Sequence, residues 1–182
     1  MLFLCDYADI TTPEWCYHAL QMSDLEQWLK LYKSENPVVR FRAAEGLLKR
    51  GDEVPLAVLL NIFDEFCNEG LGRSIEKVLS RRRDKELASE MISRLSSPDH
   101  SIREIVCEVL KSLEDRAATK PLLSLLKNDR YLMVRRAAAF ALASLKDPAS
   151  VSELKRQYEL QKNDLNMELA IGCALEELGQ RR

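Results

Sequence analysis

Residues 133–147 read Met-Val-Arg-Arg-Ala-Ala-Ala-Phe-Ala-Leu-Ala-Ser-Leu-Lys-Asp, and this stretch decides the fold. Within it, Val134, Ala138 and Leu142 are spaced four residues apart, and Leu145 follows three residues later. Side chains at this spacing lie on one face of an α-helix. The small alanines between them let neighbouring helices approach closely. The stretch therefore predicts a helix that packs inside a helical array.

The same pattern recurs along the chain at a nearly constant interval. Each copy closes with an acidic or amide residue, which we call its landmark: Asp52, Asp84, Asp115, Asp147 and Gln180. The intervals between successive landmarks are 32, 31, 32 and 33 residues. Five positions before each landmark stands a leucine: Leu47, Leu79, Leu110, Leu142 and Leu175. A regular repeat of this length, with a helical apolar stripe, predicts stacked helical hairpins.

A shorter apolar pattern precedes this helix in each repeat. In the third repeat its apolar residues are Leu87, Met91, Ile92 and Leu95. Turn-forming residues separate the two patterns, as in residues 97–99 (Ser-Pro-Asp), and Asp or Asn at such a place also favours a helix N-cap. Each repeat is therefore predicted to contain a helix A, a turn, and a helix B that ends at the landmark.

The predicted fold class is all-α, a right-handed α-solenoid of about five helical hairpins with an N-terminal cap. The array is predicted to occupy residues 23–182, with repeats at about 23–52, 53–84, 85–115, 116–147 and 148–182. A capping box, Ser-Asp-Leu-Glu at 23–26, predicts that the first helix begins at about residue 24. Residues 1–22 do not match the repeat, and we expect them to cover the apolar end of the stack.

Two copies of the repeat resemble a known family. Residues 38–48 and 133–147 are similar to HEAT repeats, specifically the short bacterial kind named after phycobilisome lyases. The resemblance covers about residues 24–182 and is weakest in the copies at 71–84 and 167–180. It implies an α-solenoid whose B helices line a concave face. It implies little about function, because repeats of this kind serve many unrelated tasks.

The resemblance also implies a structural role for a recurring arginine. Arg40, Arg103 and Arg135 each lie twelve residues before a landmark. In HEAT-like repeats an arginine at the start of helix B typically bonds to acidic residues and carbonyl groups of the turns, which forms a ladder along the stack. Gly72 and Glu168 occupy this position in the other two repeats, so the predicted ladder is interrupted there. Ligand contact is the alternative role, since arginine is common at interfaces.

The side of each B helix opposite the apolar stripe is the predicted binding groove. Its positions lie 11, 7 and 3 or 4 residues before each landmark: Phe41, Glu45 and Lys49; Arg73, Lys77 and Arg81; Glu104, Glu108 and Lys111; Arg136, Phe140 and Ser144; Leu169, Cys173 and Glu177. We predict partner contact for nine of them: Phe41, Glu45, Arg73, Lys77, Arg81, Glu104, Glu108, Arg136 and Phe140.

Two features of this groove admit two interpretations each. The second repeat is basic, with Arg82 and Arg83 beside the groove cations, and the third is acidic. This order would orient a partner of mixed charge, whereas the alternative is salt bridging between repeats on a solvated face. Phe41 and Phe140 are either interface anchors or, if the helical register differs by one residue, part of the core.

Composition and motifs argue against catalysis and nucleic-acid binding. The formal net charge is −2, so the chain lacks the basic surplus typical of proteins that neutralise phosphates. It has only two histidines, and we find no zinc-ligand spacing, glycine-rich phosphate loop or nucleophile with a histidine partner. We therefore expect no enzyme activity, no catalytic residues, no metal and no cofactor.

Cysteine usage and hydropathy indicate the compartment. The five cysteines are widely spaced, odd in number and without a C-x-x-C pair, which is typical of reduced thiols in a cytosolic protein. No stretch reaches the roughly 18 apolar residues that a membrane span requires. The expectation is a cytoplasmic protein without membrane association.

The favoured function is a non-catalytic protein–protein interaction module: an adaptor, a chaperone-like factor, or an inhibitory or immunity partner. Its partner would be another protein, held on the concave B-helix face, and the chain on its own would be a monomer. The repeat resemblance leaves two alternatives open. One is an accessory subunit of a bilin lyase or a phycobiliprotein chaperone, and the other is a HEAT-like nucleic-acid-binding protein.

Overall fold

In a computed structural model, residues 24–160 and 164–179 are described. Within these ranges the chain forms ten α-helices and no strand: α1 Leu25–Tyr32, α2 Pro37–Arg50, α3 Leu56–Phe66, α4 Gly72–Leu79, α5 Leu87–Arg94, α6 His100–Leu113, α7 Thr119–Asn128, α8 Leu132–Leu145, α9 Pro148–Leu160 and α10 Leu165–Glu177. Odd-numbered helices are the predicted A helices and even-numbered helices the predicted B helices, which confirms the all-α fold. The predicted cap at 1–22 and the landmark Gln180 lie outside the described residues.

The chain divides into two compact units between Val58 and Leu59, inside α3. In the first unit, α1 packs against α2. The two helices approach closely at Gly46, where an added Cβ would lie 2.5 Å from carbon atoms of the Trp28 ring. Helix α1 begins where the sequence predicts, because the Asp24 carboxylate accepts a hydrogen bond of 3.0 Å from the Glu26 N–H.

The second unit is a two-layered stack of helical hairpins. Its B helices lie side by side, with α6 packed between α4 and α8, and α8 packed in turn against α10. The A helices form the other layer, in which α5 packs on α6, α7 on α8, and α9 on α10. Helices in both layers bury one apolar stripe against their neighbours, as layered all-α folds require.

The leucine five residues before each landmark forms the core, as the repeat predicts. Leu47, Leu79, Leu110 and Leu142 are 0% exposed, and Leu175 is 3% exposed. The residues nine positions before each landmark are also 0% exposed: Ala43, Ile75, Val106, Ala138 and Ile171. Their burial follows from the helical period, because positions four residues apart share one face.

Helix α4 differs from the prediction, because it ends at Leu79 instead of reaching its landmark Asp84. The other B helices end closer to their landmarks. Helix α6, for example, ends at Leu113, two residues before Asp115. After α4 the Arg82 guanidinium donates two hydrogen bonds, of 2.7 and 2.9 Å, to the Asp84 carboxylate. This local ion pair holds a turn. The helical position that the sequence assigned to Arg81 is therefore wrong, and Arg81 is an exposed turn residue.

The start of α4 is closely packed against α6. A Cβ added to Gly72 would lie 2.6 Å from Ile105 Cδ1 and 2.8 Å from the backbone oxygen of Cys67. We expect Gly72→Ala to lower the free energy of unfolding by about 1–2 kcal/mol, because the backbone oxygen cannot move aside as a side chain can. Urea unfolding followed by circular dichroism measures this change. Ser74→Ala, an exposed site on the same helix, is the matched control, and an equal effect of both variants would contradict the close contact.

Candidate protein-binding surface

The predicted groove residues of the second unit lie on one continuous side of its B helices, which we call the B-helix face. It comprises Arg73 and Lys77 on α4, Glu104, Glu108 and Lys111 on α6, Arg136 and Phe140 on α8, and Leu169 and Cys173 on α10. The α4 cations are exposed, and the two glutamates are half-buried. Neighbouring helices meet on this face, since Lys111 Nζ lies 5.5 Å from the centre of the Phe140 ring.

The remaining predicted contact residues lie elsewhere. Phe41 and Glu45 belong to α2 in the first unit, where both are half-buried, and Glu45 accepts a hydrogen bond of 2.8 Å from Arg42. Arg81 follows α4 and is exposed, whereas Arg82 and Arg83 are engaged locally, Arg83 with the carbonyl groups of the preceding turn. The exposed part of the basic stripe is therefore smaller than the sequence indicated.

The acidic part of the face is partly withdrawn from solvent. Burial raises the pKa of Glu108, and the nearby carboxylates Glu76 and Glu104 act in the same direction. Lys111, whose Nζ lies 3.9 Å from the Glu108 carboxylate, and Arg73 oppose this shift in pKa without cancelling it. The ionised form of Glu108 is therefore less favoured than that of a fully solvated carboxylate, mainly because of burial.

The basic and acidic helices do not neutralise each other through direct ion pairs. Within residues 24–160 and 164–179, no ion pair within 4.0 Å joins Arg73 or Lys77 to Glu104 or Glu108. Among the described residues, the structure therefore does not support the alternative interpretation of salt bridges between the groove residues of the second and third repeats. Opposite charges stand on adjacent helices with their hydrogen-bonding capacity largely open.

Met133 and Leu165 each lie about one helical turn before a residue of the B-helix face, Arg136 and Leu169, and extend this face with apolar side chains. Leu165 and Leu169 are 76% and 59% exposed, and Met133 on α8 is 47% exposed. Phe140 is half-buried beneath Lys111 and does not belong to the buried core, and the same half-burial holds for Phe41. The repeat pattern predicts Leu169 in the groove, although it is not among the nine residues for which we predict partner contact. The sequence contains a signal for this apolar surface, because Leu165, Leu169 and Cys173 are spaced four residues apart and form a second apolar stripe on α10.

The three recurring arginines bond to the turns between A and B helices. Arg40 Nη1 donates to the backbone oxygens of Ser34 and Glu35, at 3.1 and 3.0 Å. Arg135 Nη1 donates to the backbone oxygen of Asp129 at 2.9 Å, and its Nη2 lies 3.8 Å from the Asp164 carboxylate. Each of these arginines thus satisfies carbonyl groups that a turn would otherwise leave without donors.

Arg103 makes the most extensive set of these bonds. Its Nε and Nη2 donate to the Asp129 carboxylate at 2.7 and 3.0 Å, and its Nη1 donates to the backbone oxygens of Ser97 and Pro98. Burial disfavours the charged form of Asp129, but hydrogen bonds from Arg103 and from the Tyr131 N–H outweigh it and lower the pKa of the carboxyl group. In the second repeat, where Gly72 replaces the arginine, Asn68 Nδ2 instead bonds to Asp99 at 2.6 Å.

Residues 72–143 and 88–173 match the family model described as HEAT repeats. Together the two matches cover 102 of the 182 residues, which is more than half of the chain. The chain belongs to the HEAT-repeat family. The match is to HEAT repeats in general, so the phycobilisome-lyase type stays a prediction. No curated protein matches the chain.

The matched HEAT region begins at the first residue of α4 and ends at residue 173 in α10, so it includes α4, α6, α8 and the greater part of α10. In the described part of this HEAT-repeat chain, no helix is long and apolar enough to cross a membrane. The described residues also hold no cluster of three or more metal-ligating side chains. Burial raises the pKa of Cys67 to about 11 and raises that of Cys107 as well, so both remain protonated thiols at neutral pH.

Proposed function

We propose that this HEAT-repeat protein is a non-catalytic interaction module that holds another protein on its B-helix face. HEAT repeats are generally protein-interaction scaffolds. The observation that carries the proposal is the state of that face: exposed Arg73 and Lys77 stand beside half-buried Glu104 and Glu108 without direct ion pairs between them. A partner with charges of its own would complete these interactions.

The chemistry of the face also favours a protein over a phosphate-rich partner. Its cations are confined to α4, Lys111 and Arg136, and the acidic side chains of α6 lie between them. A polyanion crossing the face would meet Glu104 and Glu108, which would repel it. An adaptor, a chaperone-like factor and an inhibitory or immunity partner would all use a face of this kind, and each is a form of the proposed function.

A charge reversal on α4 tests the proposal. We expect Arg73→Glu/Lys77→Glu to reduce recovery of specific partners by the tagged chain from native lysate about tenfold, a loss of roughly 1.4 kcal/mol in binding. Lys85→Glu/Lys120→Glu changes the net charge equally at exposed sites outside the face and is the matched control. Circular dichroism checks that both variants fold. Unchanged recovery of every partner by the α4 variant would remove the B-helix face from the function.

A further inference from the structure

The B-helix face changes its chemistry in a fixed order along the stack. Helix α4 presents the cations Arg73 and Lys77, and α6 presents two glutamates followed by Lys111, which lies over the Phe140 ring. Helices α8 and α10 present exposed apolar side chains, with Arg136 as the cation of α8. These helices are packed neighbours in the same sequence, α4 against α6, α6 against α8, and α8 against α10. The order of chemistry along the face is therefore also an order in space.

The end of the face over α8 and α10 carries most of its exposed apolar side chains. Among the described residues five large apolar side chains are exposed: Val38, Met133, Leu160, Leu165 and Leu169. Three of them, Met133, Leu165 and Leu169, lie within the first two turns of α8 and α10 at this end of the face. Burying apolar surface of this kind removes it from water and is favourable. A concentration of exposed apolar side chains beside polar ones marks an interaction site.

The opposite charges of α4 and α6 determine the orientation in which a partner binds. Glu104 and Glu108 lie one turn apart on the same side of α6, and both are half-buried. Arg73 and Lys77 lie one turn apart on α4, and both are exposed. The charge of Arg73 is close enough to Glu108 to lower the pKa of its carboxyl group. A partner cation on α6 and a partner anion on α4 are both favourable, whereas the reverse placement brings like charges together on both helices.

Resting on the proposed function, we propose that the B-helix face holds one protein segment whose side chains run in the order apolar, basic, acidic. The apolar side chains cover Leu165, Leu169 and Phe140. The basic side chain lies against Glu104 and Glu108, and the acidic one against Arg73 and Lys77.

Helix packing sets the spacing of such a segment. Packed helix axes lie about 8–10 Å apart, so the basic and acidic groups of the partner are separated by roughly 9 Å. That distance corresponds to about three residues of an extended segment or about six residues of a helix. The apolar anchor over α10 stands roughly 27 Å from the acidic group, three helix spacings away.

Selection of displayed random peptides of about 20 residues on the folded 182-residue chain tests the order. We expect enriched peptides to share an apolar cluster followed, in either chain direction, by a basic and then an acidic residue at the spacing above. Glu104→Lys/Glu108→Lys and Leu165→Ser/Leu169→Ser should each weaken the binding of these peptides about tenfold or more. Lys85→Glu/Lys120→Glu should leave it unchanged.

A charge exchange makes the test specific. A chain carrying Arg73→Glu/Lys77→Glu together with Glu104→Lys/Glu108→Lys should bind peptides in which the basic and acidic residues are swapped, and circular dichroism confirms that it folds. Peptides that lose binding only on Leu165→Ser/Leu169→Ser would overturn the charge order while leaving the proposed function in place. Absence of enrichment would overturn the order too, and lysate recovery would then decide the proposed function by itself.

Nucleic acid is the competing occupant of α4. Competition of double-stranded DNA with the selected peptides, with a steep loss of DNA affinity as salt rises, would assign Arg73 and Lys77 to phosphates and overturn the inference. We expect no such competition, because the neighbouring Glu104 and Glu108 disfavour a polyanion along the face.

Discussion

Leu142→Ala will lower the free energy of unfolding by about 3 kcal/mol, near the middle of the range for buried leucines truncated to alanine. Leu142 is 0% exposed on α8, the helix that packs against α6, α7 and α10. Truncation removes the apolar contacts of this side chain and leaves a cavity that the surrounding helices cannot fully close. Urea unfolding monitored by circular dichroism measures the loss.

Met133→Ala is the matched control for this variant because it truncates a long side chain on the same helix at a site 47% exposed. Its effect on the free energy of unfolding should stay within about 0.5 kcal/mol. If Leu142→Ala cost no more than Met133→Ala, the leucine five residues before the landmark would not form the core, and the repeat register would be wrong.

Arg103→Ala should lower the free energy of unfolding by about 3 kcal/mol, since it removes one partner of a buried ion pair. The side chains of Arg103 and Asp129 are only 10% and 4% exposed. The variant leaves the Asp129 carboxylate buried without its main donor and also strips the backbone oxygens of Ser97 and Pro98 of theirs. Chemical unfolding at neutral pH measures the effect.

Arg42→Ala is the control because it removes the Arg42–Glu45 ion pair, whose side chains are 53% and 34% exposed. Exposed pairs contribute at most about 1 kcal/mol, so this variant should be close to neutral. Equal losses for the two variants would contradict the ladder role of Arg103, since that role depends on burial of the pair.

Acid should reduce the difference between Arg103→Ala and the parent chain. The pKa of Asp129 in the folded chain lies below its unfolded value of about 3.9, so its stabilisation is present above that pH and is lost as pH falls through the folded pKa. In Arg103→Ala the carboxyl group lacks this benefit, and protonation relieves its burial. A difference in unfolding free energy that is as large at pH 3 as at pH 7 would contradict this coupling.

The helices and the core were predictable from the sequence because both depend on a period. Leu47, Leu79, Leu110, Leu142 and Leu175 recur at one position of a helical stripe, and side chains at that position can only face the neighbouring helices. The turn arginines were predictable through the family resemblance, which named the position and the kind of bond. Their particular partners, such as Asp129 for Arg103, depend on which turns the fold brings together.

Two parts of the surface were not predictable in the same way. Helix α4 ends at Leu79 and is followed by a local ion pair between Arg82 and Asp84, which the apolar stripe of the repeat does not predict. The raised pKa of Glu108 depends on its burial and on the charges of Glu76 and Arg73, which belong to a helix more than 30 positions away in the chain. The exposed apolar stripe of α10 is present in the sequence, but the same helix also carries the buried stripe Met167, Ile171 and Leu175, and the sequence pattern does not distinguish the two.

The proposal that a partner protein occupies the B-helix face is tested most directly by hydroxyl-radical footprinting of the chain with and without the protein recovered from lysate. We expect the partner to reduce oxidation of Met133, Phe140 and Leu169 several-fold. Ile92 and Leu125, half-buried on the A helices α5 and α7, should be oxidised as before. Protection of Ile92 and Leu125 with unchanged oxidation of the B-helix face would contradict the proposal.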